Sequence, residues 1–302
     1  MRVCVFFVVD GRKLEAQACL LLPTLRRHLG ADVSVIAYRR MDSVPLLPIT
    51  EHVLAACNVD QRMIPGTGPD DPSPWTQPYP IGNKILAAST PRDCDISVFI
   101  DTDMVFSAPV DFAALLADAQ IGAVISDYTT ESNTIEGWTA LYGHFNLPLP
   151  AERVRLPRGR RVTGLPYFNG GLIVFQELFG AEKRAFGAEW MQDAIRFDHE
   201  IKIPYNRVNI DQLTLSLTAT RLGEKIRLLP NAFNFNLPAY GELPDAPKAL
   251  IHYHRFGILW SFPALGRPVL DAVRDLMGEA GLTAVLDSFG DKLAITRLRK
   301  LL

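Results

Sequence analysis

Ser97-Val98-Phe99-Ile100-Asp101-Thr102-Asp103-Met104-Val105-Phe106 is the stretch whose reading decides the fold. Four apolar or small residues carry the chain through a core. Two carboxylates then stand one residue apart where the strand should leave it. Alternation along an extended backbone puts residues i and i+2 on one side, which predicts that Asp101 and Asp103 face each other across Thr102. At about 4 Å and an effective dielectric of about 20, their repulsion is roughly 4 kcal/mol. A divalent cation held by oxygen ligands is the simplest compensation. A strand followed by an acidic turn would leave the same trace, so the rest of the chain has to decide.

Upstream, residues 3–9 form an apolar run behind Arg2 that Asp10-Gly11-Arg12-Lys13 cuts off. The run is too short for a signal peptide and no small-residue cleavage site follows, so it reads as a first core strand. Residues 14–29 keep an apolar stripe through Ala18, Leu21, Leu22, Leu25 and Leu29, which is helical spacing, and Gly30 stops it. Residues 33–38 are a second apolar strand. Strand, helix, strand at this length is a βαβ unit, and its parallel sheet implies an α/β fold. Residues 64–80 carry six prolines and exclude regular structure, leaving a surface excursion or a functional flap. Residues 83–88 then start a short helix that Pro91 ends.

Downstream, residues 112–119 read as a helix and 121–126 as a strand. Arg153, Arg155, Arg158, Arg160 and Arg161 crowd a segment that is either a solvated loop or a contact for an anionic acceptor. Residues 167–175 form a strand interrupted by Gly170 and Gly171, where a ligand or another backbone approaches closely. A helix is expected over 178–197. Asn209 can cap a further helix carrying Asp211 and Gln212 in its first turn, where a carboxylate also complements the helix dipole. Residues 226–229 and 249–253 read as strands. Between them Asn231, Asn234 and Asn236 alternate with apolar residues and suit a polar ligand. From residue 263 the pattern is helical, ending in a weakly basic tail that packs or faces a partner.

The 302 residues suffice for one large domain or two modest ones. A formal net charge of -2 provides no basic field and argues against nucleic acid as a main partner. Cys4, Cys19, Cys57 and Cys94 are too scattered for a zinc site or disulfide framework, which favours a reducing, cytoplasmic setting. No apolar run approaches the roughly 18 residues of a spanning helix, so a soluble protein is expected, with peripheral attachment at the inner membrane face as its variant. Phosphate loops of the G-x-x-x-x-G-K-[ST] kind, a dinucleotide-binding G-x-G-x-x-G after the first strand and a G-x-S-x-G elbow are all missing.

The second polar strand end is Ile251-His252-Tyr253-His254. Alternation points both histidines the same way, and an imidazole beside carboxylates tilts the metal choice from magnesium toward manganese. His252 is the favoured ligand; His254 is the alternate or its support.

The ordered set of FIDTDMVF, YFNGGLIVF, NIDQLTL, NAFNF and IHYH after an initial βαβ unit resembles the GT-A glycosyltransferases. In particular it resembles glycosyltransferase family 8, that of glycogenin and the bacterial lipopolysaccharide galactosyltransferases. The likeness covers roughly residues 1–260. It implies a GT-A, Rossmann-like, mostly parallel central sheet flanked by helices. Residues 1–262 would form a single domain, with a nucleotide-sugar half to residue 106, and residues 263–302 a helical extension.

The resemblance also implies roles. Asp101 and Asp103 match the metal-binding Asp-X-Asp, Asp101 and Thr102 meeting the nucleotide, and His252 the histidine that closes the metal site. Lys84, Asn169, Gly170, Gly171 and Asn234 would border the donor sugar or its diphosphate, and Asp10 and Glu15 the base. Asp211 and Gln212 match the Asp-Gln pair beside the reacting carbon. The implied activity is Mn2+- or Mg2+-dependent transfer from a nucleotide-diphospho sugar, a UDP-hexose, to an acceptor hydroxyl with retention. The basic loop suggests an anionic glycan or lipid as acceptor. Two departures stand out. The family follows its histidine with a lysine that grips the diphosphate, whereas Arg255-Phe256-Gly257-Ile258-Leu259-Trp260 has none, and Arg255 is displaced from that position. The first strand also lacks the Asp-X-X-Tyr that contacts uracil. The rival readings are a non-catalytic relative binding a carbohydrate or protein partner, and a sugar-nucleotide nucleotidyltransferase.

Overall fold

A computed structural model describes residues 1–68, 70–126, 134–155, 163–201, 207–243, 248–293 and 298. Arg158, Arg160 and Arg161 of the basic loop, and the terminal basic tail apart from Leu298, lie outside the described residues.

The chain divides into two compact units. One comprises residues 4–63, 100–111 and 230–302. In it β1 (Val3–Val8) leads into α1 (Arg12–Leu29), then β2 (Ser34–Arg40), α2 (Pro48–Ala56) and β3 (Asp60–Ile64). β1 and β2 pair in parallel, Cys4 opposite Ser34 through Val8 opposite Tyr38, which is the βαβ unit expected from the apolar pattern. Pro23 lies inside α1, yet the helix continues because its face is buried from Glu15 to Leu25. A three-stranded sheet in the order β13 (Phe235–Asn236), β14 (Leu250–His252), β5 (Met104–Phe106) completes this unit, with the short helices α8 (Leu237–Tyr240) and α9 (Phe256–Leu259). The helical segment α10 (Pro263–Phe289), two stretches that meet at a kink at Gly278 (φ 71°), packs on α1 and α2 with Leu265, Val269, Val273, Leu282 and Phe289 buried, so residues 263–289 share a core with the first βαβ unit.

The other unit comprises residues 1–3, 64–99 and 112–229. Its strands run β12 (Ile226–Leu229), β6 (Ile121–Ile125), β9 (Phe168–Gln176), β4 (Ile96–Ile100). β12 lies parallel to β6, and β6 antiparallel to β9. All five residues of β4 are buried, as its unbroken apolar run requires. Around the strands lie α3 (Asn83–Ser89), α4 (Phe112–Leu116), α5 (Ile135–His144), α6 (Phe186–Glu200) and α7 (Ile210–Arg221), with the hairpins β7 (Val154–Arg155), β8 (Thr163–Gly164) and β10 (Leu178–Phe179), β11 (Arg184–Ala185).

One expectation is corrected here. The helix predicted over 178–197 begins only at Phe186, because β10 and β11 turn back on each other through Gly180 (φ 68°) and Lys183 (φ 52°). Left-handed backbone at both positions is incompatible with a continuing right-handed helix.

Candidate active site

The sheet β13-β14-β5 builds the first polar cluster. Met104 of β5 stands opposite His252 of β14, and the Tyr253 N–H donates to the Asp103 carbonyl at 3.0 Å. That register lays Asp103 against the residue between the two histidines. His254 has φ 54°, a strained left-handed conformation that histidine adopts more readily than bulky residues do. The His252 and His254 rings stack with centroids 3.7 Å apart. His252 Nε2 lies 2.9 Å from Asp103 Oδ1, and His254 Nδ1 3.8 Å from Oδ2.

One ligand atom from each of Asp103, His252 and His254 lies within 4.8 Å of the others. The donor set is one carboxylate oxygen and two ring nitrogens, with Asp103 17 % and His254 35 % exposed and His252 buried beneath them. Such a mixed set fits a divalent transition ion better than magnesium, so the residues suit the group the sequence implied. Burial by itself would raise the Asp103 carboxyl. The charge and hydrogen bond of His252, with the charges of His254 and Lys13, outweigh it and hold the group well below the ordinary carboxylate range. Burial and then the neighbouring His252 push His254 down to about 4 against the pull of Asp103, which leaves a neutral ring able to donate a lone pair.

Across 101–103 burial alternates, with Asp101 and Asp103 half-buried on either side of a buried Thr102, although the strand itself does not continue. β4 stops at Ile100 and residues 102–103 turn, because Thr102 is pulled inward: its Oγ1 donates to Gln17 Oε1 of α1 at 2.9 Å and the residue is buried. Asp101, just past the end of β4, is half-buried and is not among the three residues of that cluster. Both histidines join Asp103, where the sequence favoured one. Asn234, one residue before β13, places its Oδ1 3.0 Å from His252 Nδ1.

The two residues expected near the base have different surroundings. Asp10 lies 3.9 Å from Arg40, and burial raises its carboxyl more than Arg40 lowers it. Glu15 is 1 % exposed, with both oxygens engaged: Oε1 with Arg12 at 2.5 Å, Oε2 with the Leu47 N–H at 2.8 Å and Thr50 Oγ1 at 2.9 Å. A buried carboxylate so committed anchors the segment before α2.

A second cluster lies within the other unit. Lys84 of α3 places Nζ 3.2 Å from Asp211 Oδ2 and donates to the Gly170 carbonyl at 3.1 Å, above the Phe99 ring. Asp211 is 2 % exposed at the start of α7, where a carboxylate also complements the helix dipole. Asn209 precedes the helix without a capping side-chain bond. Gly170 is required by space: a Cβ there would sit 2.6 Å from Asp211 Oδ2 and 3.2 Å from Lys84 Nζ, with Gln212 Cγ at 3.6 Å. Asn169 turns its Oδ1 onto the Gly171 N–H at 2.8 Å.

Tyr79 is the residue that sequence reasoning missed. Its hydroxyl donates to Asp211 Oδ1 at 3.4 Å and accepts from the Asp211 N–H at 3.2 Å. Burial, then the Asp211 charge, push its phenol above the ordinary tyrosine value, so it stays a donor. The proline-rich segment that carries it is pinned by buried Asp198, which accepts from the Thr76 N–H at 2.7 Å and Oγ1 at 2.8 Å. Arg207 holds the same Asp198 and lies over the Tyr79 ring.

Residues 5–223 match the family described as the Rhodobacterales glycosyltransferase domain. The chain belongs to that glycosyltransferase family. Comparison with curated proteins returns no match. Among solved structures, the bifunctional glycosyltransferase WbbM is similar over 94 % of this chain and 51 % of its own, with a TM-score of 0.58 and 15 % identity. This glycosyltransferase thus spans about half the length of the WbbM chain. The galactosyltransferase LgtC, solved with donor and acceptor sugar analogs, covers 91 % of this chain and 96 % of its own at a TM-score of 0.52 and 15 % identity. GlyE of Streptococcus pneumoniae TIGR4 covers 97 % and 64 % at 0.54 and 12 %. At these identities the likeness is one of fold, and the α/β architecture is that of the GT-A glycosyltransferases. No described helix is long and apolar enough to cross a membrane.

Proposed function

We propose that this glycosyltransferase moves a hexose from a nucleotide-diphospho sugar, a UDP-sugar, to an acceptor hydroxyl with retention of configuration. The observation that carries the metal-dependent part is the convergence of Asp103, His252 and His254 on one point of ligand size. A bound Mn2+ (or Mg2+) would supply Lewis-acid stabilisation of the charge growing on the leaving diphosphate. Asp101 and Thr102 would meet the nucleotide, as would Asp10. Lys13 and Arg255 are the candidates for the diphosphate grip that the missing lysine leaves open, since the charges of both act on His254.

On the sugar side, Asp211 is proposed to bind sugar hydroxyls, with Gln212 near the anomeric carbon and Lys84, Asn169, Gly170 and Gly171 bordering the donor. Transfer breaks the bond from the anomeric carbon to the diphosphate oxygen and forms one to the acceptor oxygen. The departing phosphate oxygen takes the acceptor proton, so no separate general base is needed. Arg153 and Arg155 favour an anionic glycan or lipid acceptor.

The test is release of nucleoside diphosphate from a panel of nucleotide sugars, with and without Mn2+. Turnover of one donor that is lost in chelator and in Asp103→Ala is expected. Full turnover in either condition would remove the metal assignment, and no turnover of any donor would favour a non-catalytic carbohydrate-binding role.

A further inference from the structure

We infer that Asn234 is the positioning residue that sets which nitrogen of His252 faces a metal ion, an inference that rests on the metal assignment above. An amide oxygen can only accept a hydrogen bond, so the 3.0 Å contact from His252 Nδ1 to Asn234 Oδ1 puts a proton on Nδ1. The second nitrogen, Nε2, then faces Asp103 Oδ1, 2.9 Å away, through the hydrogen bond that holds that carboxyl low, and a metal ion would take the place of the proton there.

The fold keeps Asn234 in place. Phe235 and Asn236 of β13 pair with Ile251 and His252 of β14, and Asn234 enters that strand immediately after the helical turn at Asn231–Phe233, whose Asn231 carbonyl accepts its N–H at 3.3 Å. Asn234 and His252 are both buried, so water does not compete for the bond. Outer partners of this kind hold a ligand ring in the productive orientation and raise its basicity, and removing one typically costs 10–100-fold in metal affinity. The amides alternating through 231–236 were visible in the sequence; this contact gives one of them a specific task.

The experiment uses the full chain and Mn2+ alone, without donor or acceptor. Calorimetry should show Asn234→Leu binding Mn2+ about 10–100-fold more weakly than the unaltered protein. Asn234→Asp, whose carboxylate still accepts from Nδ1, should bind within a few-fold of it. Nitrogen-15 spectra of the metal-free protein should show a slowly exchanging proton on His252 Nδ1 that is lost in Asn234→Leu and kept in Asn234→Asp. Equal Mn2+ affinity in all three proteins, or a bare Nδ1 in the unaltered protein, would overturn the inference. A merely structural Asn234 would lower the melting temperature of Asn234→Leu and leave the affinity unmoved. If the unaltered protein itself binds no Mn2+, the metal assignment fails separately, while the imidazole spectra still report on Asn234.

Discussion

His254 illustrates how one strained residue shapes the chemistry at its site. Its positive φ goes with a ring stacked on that of His252, and burial with that neighbour disfavours charging His254. A histidine held near 4 when folded and near 6.5 when unfolded binds fewer protons in the native state than in the unfolded one. Its contribution is therefore fully present above about pH 6.5 and is lost as pH falls toward 4. The metal-free protein should lose melting temperature between pH 7 and 5, and His254→Gln should lose less over that window. An unchanged slope in the variant would show that His254 is not depressed. At Gly170 the constraint is steric. Gly170→Ala puts a methyl 2.6 Å from Asp211 Oδ2, and overpacking of this kind costs about 1–3 kcal/mol. Thermal denaturation should register that loss, and donor turnover should fall with it, since Asp211 and Lys84 must move to admit the methyl. Lys84→Met tests the same cluster from the other side. A buried Asp211 without its ammonium partner is destabilised by about 3–5 kcal/mol, unless it takes up a proton.

Among the elements, the proline-rich segment before α3 shows most clearly what packing adds to sequence. Its composition disfavours helix and strand, and nothing in it announces that Tyr79 bonds a residue 132 positions away. The tie runs through Asp198, so Asp198→Ala should free Thr76, speed exchange of its amide, and lower activity by way of Tyr79 and Asp211. Hydrogen exchange with mass spectrometry reads the first effect; unaltered protection at Thr76 would mean that Asp198 does not pin the segment. Where apolar periodicity was strong, as in α1 and the all-buried β4, the elements lie within a few residues of expectation. The start of α6 is less legible, because one of the two turn residues ahead of it, Lys183, carries no sequence signal for positive φ. The start of α6 also shows why a glycine sits there. A Cβ at Gly187 would stand 1.8 Å from the Ala88 carbonyl of α3, so Gly187→Ala must push the two helices apart. A drop in stability of more than 1 kcal/mol is expected in denaturant melts. The candidate site was only partly legible for a related reason. Residue types at strand ends pointed to Asp103 and His252, and the first turn of α7 to Asp211, but nothing local announces that Thr102 turns inward to Gln17, a bond that spans 85 residues.

At the scale of the molecule, the question is whether residues after 262 are an appendage, as the extent of the family likeness suggested. Leu265, Val269, Leu270, Val273, Leu282, Val285 and Phe289 are buried in α10, which packs on α1 and α2. Arg27 of α1 donates to the Pro268 carbonyl at 2.8 Å and pairs with Asp275 at 2.6 Å. Trp260, before the helix, donates its indole N–H to the Leu293 carbonyl at 2.6 Å. At about 1.5–3 kcal/mol per fully buried side chain, those seven residues carry roughly 10–20 kcal/mol of apolar burial. The whole net stability of a typical domain is about 5–15 kcal/mol. Ending the chain at residue 262 should therefore give a product that aggregates or melts without a cooperative transition, rather than a smaller active domain. Circular dichroism melts and Mn2+ calorimetry on the truncated chain check this together, because α1 contributes Gln17, which holds Thr102 beside Asp103. A truncated chain that melts cooperatively and binds Mn2+ like the whole protein would return α10 to the status of an extension.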